Sequence, residues 1–574
     1  MMAMNSTSTL LMTPQRFSVL TTLCIALSAC MSAPPLPPPA PVQTAPARPM
    51  PADTLLGLLQ AEQLIDAHQP QAALPIYERE AMRTRDPHIL ERATRLAIVC
   101  RQDASAQKLA QTWLQSVPGN LQAESSLAGA LWRQGQFEAA GNYLLHILQA
   151  APDTGFEDLT LYPEQPQAQE QARLLATLDR LIQALPDNPQ PRYARAFWLA
   201  HHGDIKRAHQ DCERIIGDHP DFLPAYLLDA RLLEGENRLT EALDTLQQAV
   251  KEHPDAYLAR QTIAALQLRL GHPLEAELSY LQLAQDVPAD GDFWLAHALL
   301  ALQNQHEASA RSSLQRLISL GEHLNDANYY LGQIDSKSHP QRALQHFDAV
   351  EPGADYVPAQ QAAANLRVRL GRQEEALQHL RDAAIAHPEF ASDAAVMMSD
   401  IFSLQARYRE AAATLDARLA QDPHNADLLY NRAMIAVELN DMALFEQDIR
   451  AVLVQNPENP VALNAFGYTL AEKSIRLDEA RTYIEHALRI SPNDPAIIDS
   501  LGWVKYRQGH IEQALSDIQK AWDMSHDDEI GAHLGELLWH QGHRNAARKI
   551  WQQSLQQAPD SHFVLDVEKR LGAE

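Results

Sequence analysis

The side chains able to do chemistry are scattered along this sequence, and their spacing argues against catalysis. No serine belongs to a GxSxG elbow, and there is no GxxxxGK phosphate loop, no GxGxxG after a strand and no HExxH zinc helix. The 24 histidines do not group at metal-ligand spacing. His201 and His202 stand beside Gly203 at a predicted helix end, where contact with the helix terminus accounts for them. His533, His540 and His543 fall on or just beyond one predicted helix, with no carboxylate or cysteine partner visible in the pattern. The expectation is a protein without catalytic residues, metal or diffusible cofactor.

What recurs instead is the chemistry of surfaces. Asp427, Tyr430, Asn464, Tyr468, Asp499, Trp503, Tyr506, Arg507, Glu536 and Trp539 fall at non-packing positions of successive predicted helices. An asparagine can pair a peptide backbone through two hydrogen bonds. Trp, Tyr and Arg are the side chains that most often anchor interfaces. These ten are the candidates for a groove that meets an extended peptide or a partner's surface. The competing readings are packing between repeats for the aromatic residues and a solvated face for the polar ones.

The elements that would position them follow from a ruler. Pro118, Pro152, Pro186, Pro220, Pro254 and Pro288 stand 34 residues apart, and the beat continues less strictly through Pro388, Pro423, Pro457, Pro492 and Pro559. Thirty-four residues is the length of the tetratricopeptide repeat, a helix–turn–helix unit that ends at a proline. Within the beat, small residues mark where paired helices cross and larger ones fill the gap to the next pair. One unit reads Ala128, Ala140, Leu144, Ile147 and Pro152; another reads Ala230, Ala242, Leu246, Ala249 and Pro254; a third reads Ala264, Gly271, Ala276, Tyr280, Leu283 and Pro288. Gly135, Gly203, Gly271, Gly371, Gly509 and Gly542 are placed to end the first helix of a pair in left-handed conformation. The expected fold is all-α, a right-handed superhelical solenoid of about fourteen tetratricopeptide-type helix pairs over residues 53–560, with a capping helix at 561–574. Such arrays bind other proteins far more often than they catalyse reactions. Their exposed end repeats leave a homodimer open.

Two stretches break the ruler. Residues 153–166 lack a helix pattern, so one repeat there loses its first helix to a loop. Residues 333–358 carry Pro340, Pro352 and Gly353 out of register. Bends in the array, binding loops and drifted repeats are the readings open for both.

The beginning of the chain reads as a processing signal. Arg16 is the only charged residue before Cys30, and the apolar run Phe17–Leu27 is too short to span a bilayer. It ends in Leu27-Ser28-Ala29-Cys30, which resembles the lipobox of bacterial lipoproteins. That resemblance implies a signal peptide over 1–29 and a diacylglycerol on the Cys30 thiol. Several acyl chains on one residue hold far better than a single one. Met31 stands where an inner-membrane retention signal places Asp, which points to the outer membrane with the body in the periplasm. Residues 30–52 form a proline-rich tether whose extended reach is on the order of 50–60 Å. Cys24 leaves with the signal. Cys100 and Cys212, more than three repeats apart, are expected to be buried and unbridged. Forty-seven basic residues against 73 acidic ones give a net charge of −26, which argues against nucleic acid as a partner.

The last third carries more than repeat grammar. Asn464-Ala465-Phe466-Gly467-Tyr468-Thr469-Leu470 is followed by Asp499-Ser500-Leu501-Gly502-Trp503-Val504-Lys505-Tyr506. Then comes Glu529-Ile530-Gly531-Ala532-His533-Leu534-Gly535-Glu536-Leu537-Leu538-Trp539. This succession resembles a family of proteobacterial outer-membrane repeat lipoproteins, one type of which partners a periplasmic carboxyl-terminal processing protease. The resemblance implies a non-enzymatic adaptor that binds the serine protease, promotes its assembly or activity, and brings it peptidoglycan hydrolases as substrates. The alternative is a lipoprotein scaffold for assembling a pilus secretin or an exopolysaccharide exporter. A wall-modifying enzyme would need an acid–base pair, which the sequence does not present.

Overall fold

The computed structural model describes residues 50–155 and 168–573. Cys30, the signal 1–29, most of the tether and most of the 153–166 segment lie outside the described residues. The described chain is all-helical, with thirty α-helices, one short 3-10 turn at Pro388–Phe390 and no strand among the described residues. Twenty-eight of the helices form fourteen consecutive antiparallel pairs. The other two are single: Ala168–Ala184, preceded by the stretch expected to be a loop, most of which lies outside the described residues, and His562–Leu571. None of the helices is long and apolar enough to cross a membrane.

The proline ruler has a local cause. Each well-formed boundary between pairs is a four-residue turn with proline second, where a fixed φ suits it. The fourth residue closes the turn and, where it is Asn or Asp, also caps the next helix; Phe222 and Ala256, after Pro220 and Pro254, close the turn without a side-chain cap. Asn120 N–H donates to the Val117 carbonyl at 3.3 Å, and its side chain accepts from Ala123 N–H at 2.9 Å. Asn188, Asn425, Asn459 and Asp494 repeat this arrangement after Pro186, Pro423, Pro457 and Pro492. Such caps are worth ~1 kcal/mol each. Within pairs, the six glycines expected to end first helices all adopt positive φ, from 71° to 86°. Where glycine is missing, Asn237, Gln305, Ala406 and Asn440 are held in the same left-handed conformation.

The described residues divide into two compact units, one up to Arg316 and one from Leu317 onward. In the first, the crossing alanines Ala128, Ala140, Ala230, Ala242, Ala264 and Ala276 are all buried, with Leu144, Ile147, Leu246, Tyr280 and Leu283 filling the space between pairs. Cys100 and Cys212 are buried free thiols. In the second, the helices Pro460–Glu472 and Leu477–Ile490 approach so closely at Gly467 that an added Cβ would sit 2.6 Å from the Ala480 carbonyl oxygen and 2.5 Å from Ile484 Cγ1. Each unit also contains an arginine that ties three helices with the same spacing. Arg195 forks onto Asp211 at 2.7 and 2.5 Å and also holds Asp179, while Arg432 forks onto Asp448 at 2.7 and 2.8 Å and reaches Asp416 at 2.7 Å. The partners stand sixteen residues before and after the arginine in both cases, the distance between facing positions of adjacent helices.

Of the readings open for the segment 333–358, the structure shows a drifted repeat. Gln333 to Ser338 complete the helix Leu324–Ser338, and Pro340 opens a short second helix, Pro340–Asp348, because its ring suits a first helical position. The period breaks because this second helix is short; within 333–358 only His339 and residues 349–355 are non-helical.

Candidate functional site

All ten candidate residues lie on first helices of consecutive pairs: Ala426–Glu438, Pro460–Glu472, Pro495–Arg507 and Asp528–His540. A residue and its counterpart about 34 positions later are therefore spatial neighbours, and charge and ring contacts run along the array in ladders. Asp427 is exposed in the first turn of its helix, and Tyr430 is half-buried between two apolar clusters, where burial raises its phenol pKa.

The next three first helices build one polar centre. His533 Nδ1 is 2.8 Å from Asp499 Oδ2, and its ring stacks on Trp503 with centroids 3.9 Å apart. Trp503 is only 3% exposed, and its indole N–H donates to Glu472 Oε2 at 2.7 Å. Tyr468 reaches past one whole repeat: its hydroxyl donates to Glu529 Oε1 at 2.7 Å and lies 3.4 Å from His533 Nε2. Asn464 and Asp499 are buried, each with one side-chain oxygen lacking a hydrogen-bond partner among the described residues.

Burial and charge set the protonation of this centre. Burial by itself would lower the His533 pKa, but Asp499, Glu529 and Glu472 together outweigh it and take the imidazole up to about 9. His533 is therefore an imidazolium at neutral pH. Burial raises the Glu529 carboxyl, and burial followed by the Glu529 charge pushes the Tyr468 phenol well up.

The flanking residues act as fasteners. Arg507 Nη2 donates to the Glu472 carbonyl at 2.8 Å and its Nε to the Ala471 carbonyl at 3.3 Å, closing the end of the preceding first helix. Its guanidinium also lies over Trp503, and half-buried Tyr506 packs beside the same indole. Glu536 is buried and accepts from Arg570 Nη2 at 2.5 Å and Nη1 at 3.1 Å, which ties the single helix His562–Leu571 to the last pair. Trp539 is half-buried against Trp551, with Arg544 and Arg548 both over its ring.

The sequence pattern left His533 and His540 without carboxylate partners, and the structure corrects this. Asp499 sits beside His533, and Glu536 lies 3.8 Å from His540. The first partner stands one repeat away, so the 34-residue spacing was the signal that could have found it. Glu472 and Glu529 were missed for the same reason. Asn464, Asp499, Trp503 and Glu536 point into contacts within the array rather than toward an open groove. A second buried histidine, His297, lies 2.7 Å from Ser313 Oγ and 4.0 Å from Glu277. This resembles a nucleophile and its base, but His297 and Ser313 are each 1% exposed and no substrate carbonyl could reach them. Burial lowers the His297 pKa.

Two tetratricopeptide-repeat family models match the chain, over residues 199–266 and 396–460. The TPR repeat-containing protein PA4667 of Pseudomonas aeruginosa is 34% identical over 485 residues, which are 84% of this chain and 82% of the relative. The chain belongs to the tetratricopeptide-repeat family. Among solved structures, this tetratricopeptide-repeat protein is similar to the APC/C Cut9–Hcn1 hetero-tetramer chain (14% identity, TM-score 0.34, 91% of this chain and 96% of that one). It is also similar to Pseudomonas aeruginosa pilF (20% identity, TM-score 0.27, 32% of this chain and 84% of that one). Tetratricopeptide-repeat proteins serve as scaffolds that bind partner proteins, and their fold is generally non-catalytic.

Proposed function

We propose that this tetratricopeptide-repeat protein is an outer-membrane lipoprotein adaptor. Its Cys30 carries lipid, its body faces the periplasm, and it binds a periplasmic carboxyl-terminal processing protease. It promotes the assembly or activity of that protease and delivers peptidoglycan hydrolases to it. The scaffold part of this reading rests on family membership. The observation that supports the finer part is the succession of motifs at 464–470, 499–506 and 529–539 downstream of Leu27-Ser28-Ala29-Cys30. Those three motifs also supply the side chains of the Tyr468–Asp499–Trp503–His533 centre, so one contiguous block of three repeats carries them.

The test is a pull-down with the full chain from a detergent-solubilised envelope, followed by a degradation assay. The expected result is co-purification of a carboxyl-terminal processing protease, and faster loss of a cell-wall hydrolase with the pair than with protease alone. A pull-down that brings no such protease refutes the adaptor reading. Globomycin, which blocks lipoprotein signal cleavage, and Cys30→Ala should each release the protein from the outer-membrane fraction if the anchor is as proposed.

A further inference from the structure

The second helix of the last pair, Arg544–Gln557, carries Arg544, Arg548 and Lys549 and no acidic residue, in a chain with 73 acidic residues against 47 basic ones. All three cations are exposed, and none has an ion pair or a hydrogen bond among the described residues. Many arginines of the same unit are tied to carboxylates, among them Arg367 to Asp348, Arg407 to Glu374 and Glu410, Arg432 to Asp448, and Arg476 to Glu446 and Glu479, while Arg369, Arg381, Arg409 and Arg489 have no ion pair among the described residues. Arg544 and Arg548 are instead gathered on one indole. Each guanidinium lies 5.1 Å from the centre of the Trp539 ring. Residues four apart on a helix are neighbours, so two like charges stand side by side with no anion between them. The nearby carboxylate of Glu536 is buried and already taken by Arg570.

We infer that Trp539, Arg544 and Arg548, with Lys549 beside them, form a docking surface for an acidic segment of a partner protein. Two adjacent planar forks match carboxylates in bidentate fashion. The half-buried indole holds both forks in place and gives the partner an apolar footing, so little side-chain freedom is lost on binding. A small cationic patch on a molecule of net charge −26 selects a short acidic stretch, because an extended polyanion would also meet the surrounding negative surface. The inference rests on the scaffold reading only in taking the partner to be a protein, and does not depend on which protein it is.

The probe is a fluorescein-labelled hexaglutamate peptide, with hexaglutamine as control, read by fluorescence anisotropy on the full chain at low salt. Hexaglutamate should bind and hexaglutamine should not, and added salt should weaken binding. Arg544→Ala/Arg548→Ala, with unchanged helical circular dichroism, should bind at least about tenfold more weakly, since each charge-assisted contact is worth about a factor of ten. Absence of hexaglutamate binding by the natural chain, or equal binding by the double variant, overturns the proposal. So does tighter binding of a six-nucleotide oligothymidylate or of phosphatidylglycerol vesicles that is lost in the same variant. None of these outcomes bears on whether a protease co-purifies in the pull-down.

Discussion

Removing the charge on His533 should loosen the repeats around it, and the size of the effect can be worked from its surroundings. The imidazole titrates near 6.5 when unfolded and at about 9 in place, a rise of about 2.5 units. At ~1.4 kcal/mol per unit this amounts to about 3 kcal/mol of stabilisation. Breaking a buried ion pair by deleting one member costs about 3–5 kcal/mol, which agrees. The sign follows from where the proton is held. Below about pH 6.5 the imidazole is charged in both states and the whole contribution is present; it is lost as pH rises through about 9. Two neighbours also titrate, at other places on the scale. The raised Glu529 carboxyl develops its penalty from its unfolded value near 4.5 upward, and Tyr468 acts only above about pH 10. Subtracting a His533→Gln variant isolates the histidine. The assay is hydrogen exchange by mass spectrometry over Pro495–Arg507 and Asp528–His540 between about pH 6 and 9.5, with Leu121–Arg133 as the internal reference. Opening free energy in the natural protein should fall by about 3 kcal/mol across this range, and His533→Gln should stay flat and low. Parallel profiles for the two proteins would refute the reasoning.

Gly467→Ala forces a Cβ against the Ala480 carbonyl, a backbone atom that cannot swing away, and should cost about 1–3 kcal/mol in local stability by hydrogen exchange. Arg570→Met leaves Glu536 buried without its fork and should cost about 2 kcal/mol; faster exchange confined to His562–Leu571 and its packing partners is the expected reading. Ala406→Gly relieves a left-handed alanine at φ 54°, and should stabilise its pair by up to about 1 kcal/mol, seen as a raised Tm.

The fold was largely legible because each repeat is set by short-range rules. A proline, a cap and a glycine lie within a few residues of the turns they make, so spacing alone places the helix pairs. The segment at Pro340 stays ambiguous in the sequence for a related reason: proline both ends helices and begins them, and only the packing of Phe347 against Gly332 distinguishes the two. The candidate site was half legible. Composition picks out aromatic and polar first-helix positions, but whether Trp503 faces solvent or lies under His533 depends on contacts with Glu472 and His533, 31 and 30 residues away in sequence. The acids Glu472 and Glu529 look like ordinary solvated helix residues until the neighbouring repeats are stacked on them. Arg544 and Arg548 lie on a second helix, outside the first-helix positions to which the repeat pattern points.

The hydrogen bond from Tyr468 to Glu529 has a thermodynamic consequence. Arrays of this kind are ordinarily described as chains of units coupled only to their immediate neighbours, so that each can melt at its own boundary. A contact that skips a repeat adds a second-neighbour term to that description. The pairs beginning at Pro460, Pro495 and Asp528 then cannot open one at a time without also breaking the bond that spans them. Melting should start elsewhere in the array and cross this block in a single step, so partners that engage it would meet three repeats that are either all folded or all lost.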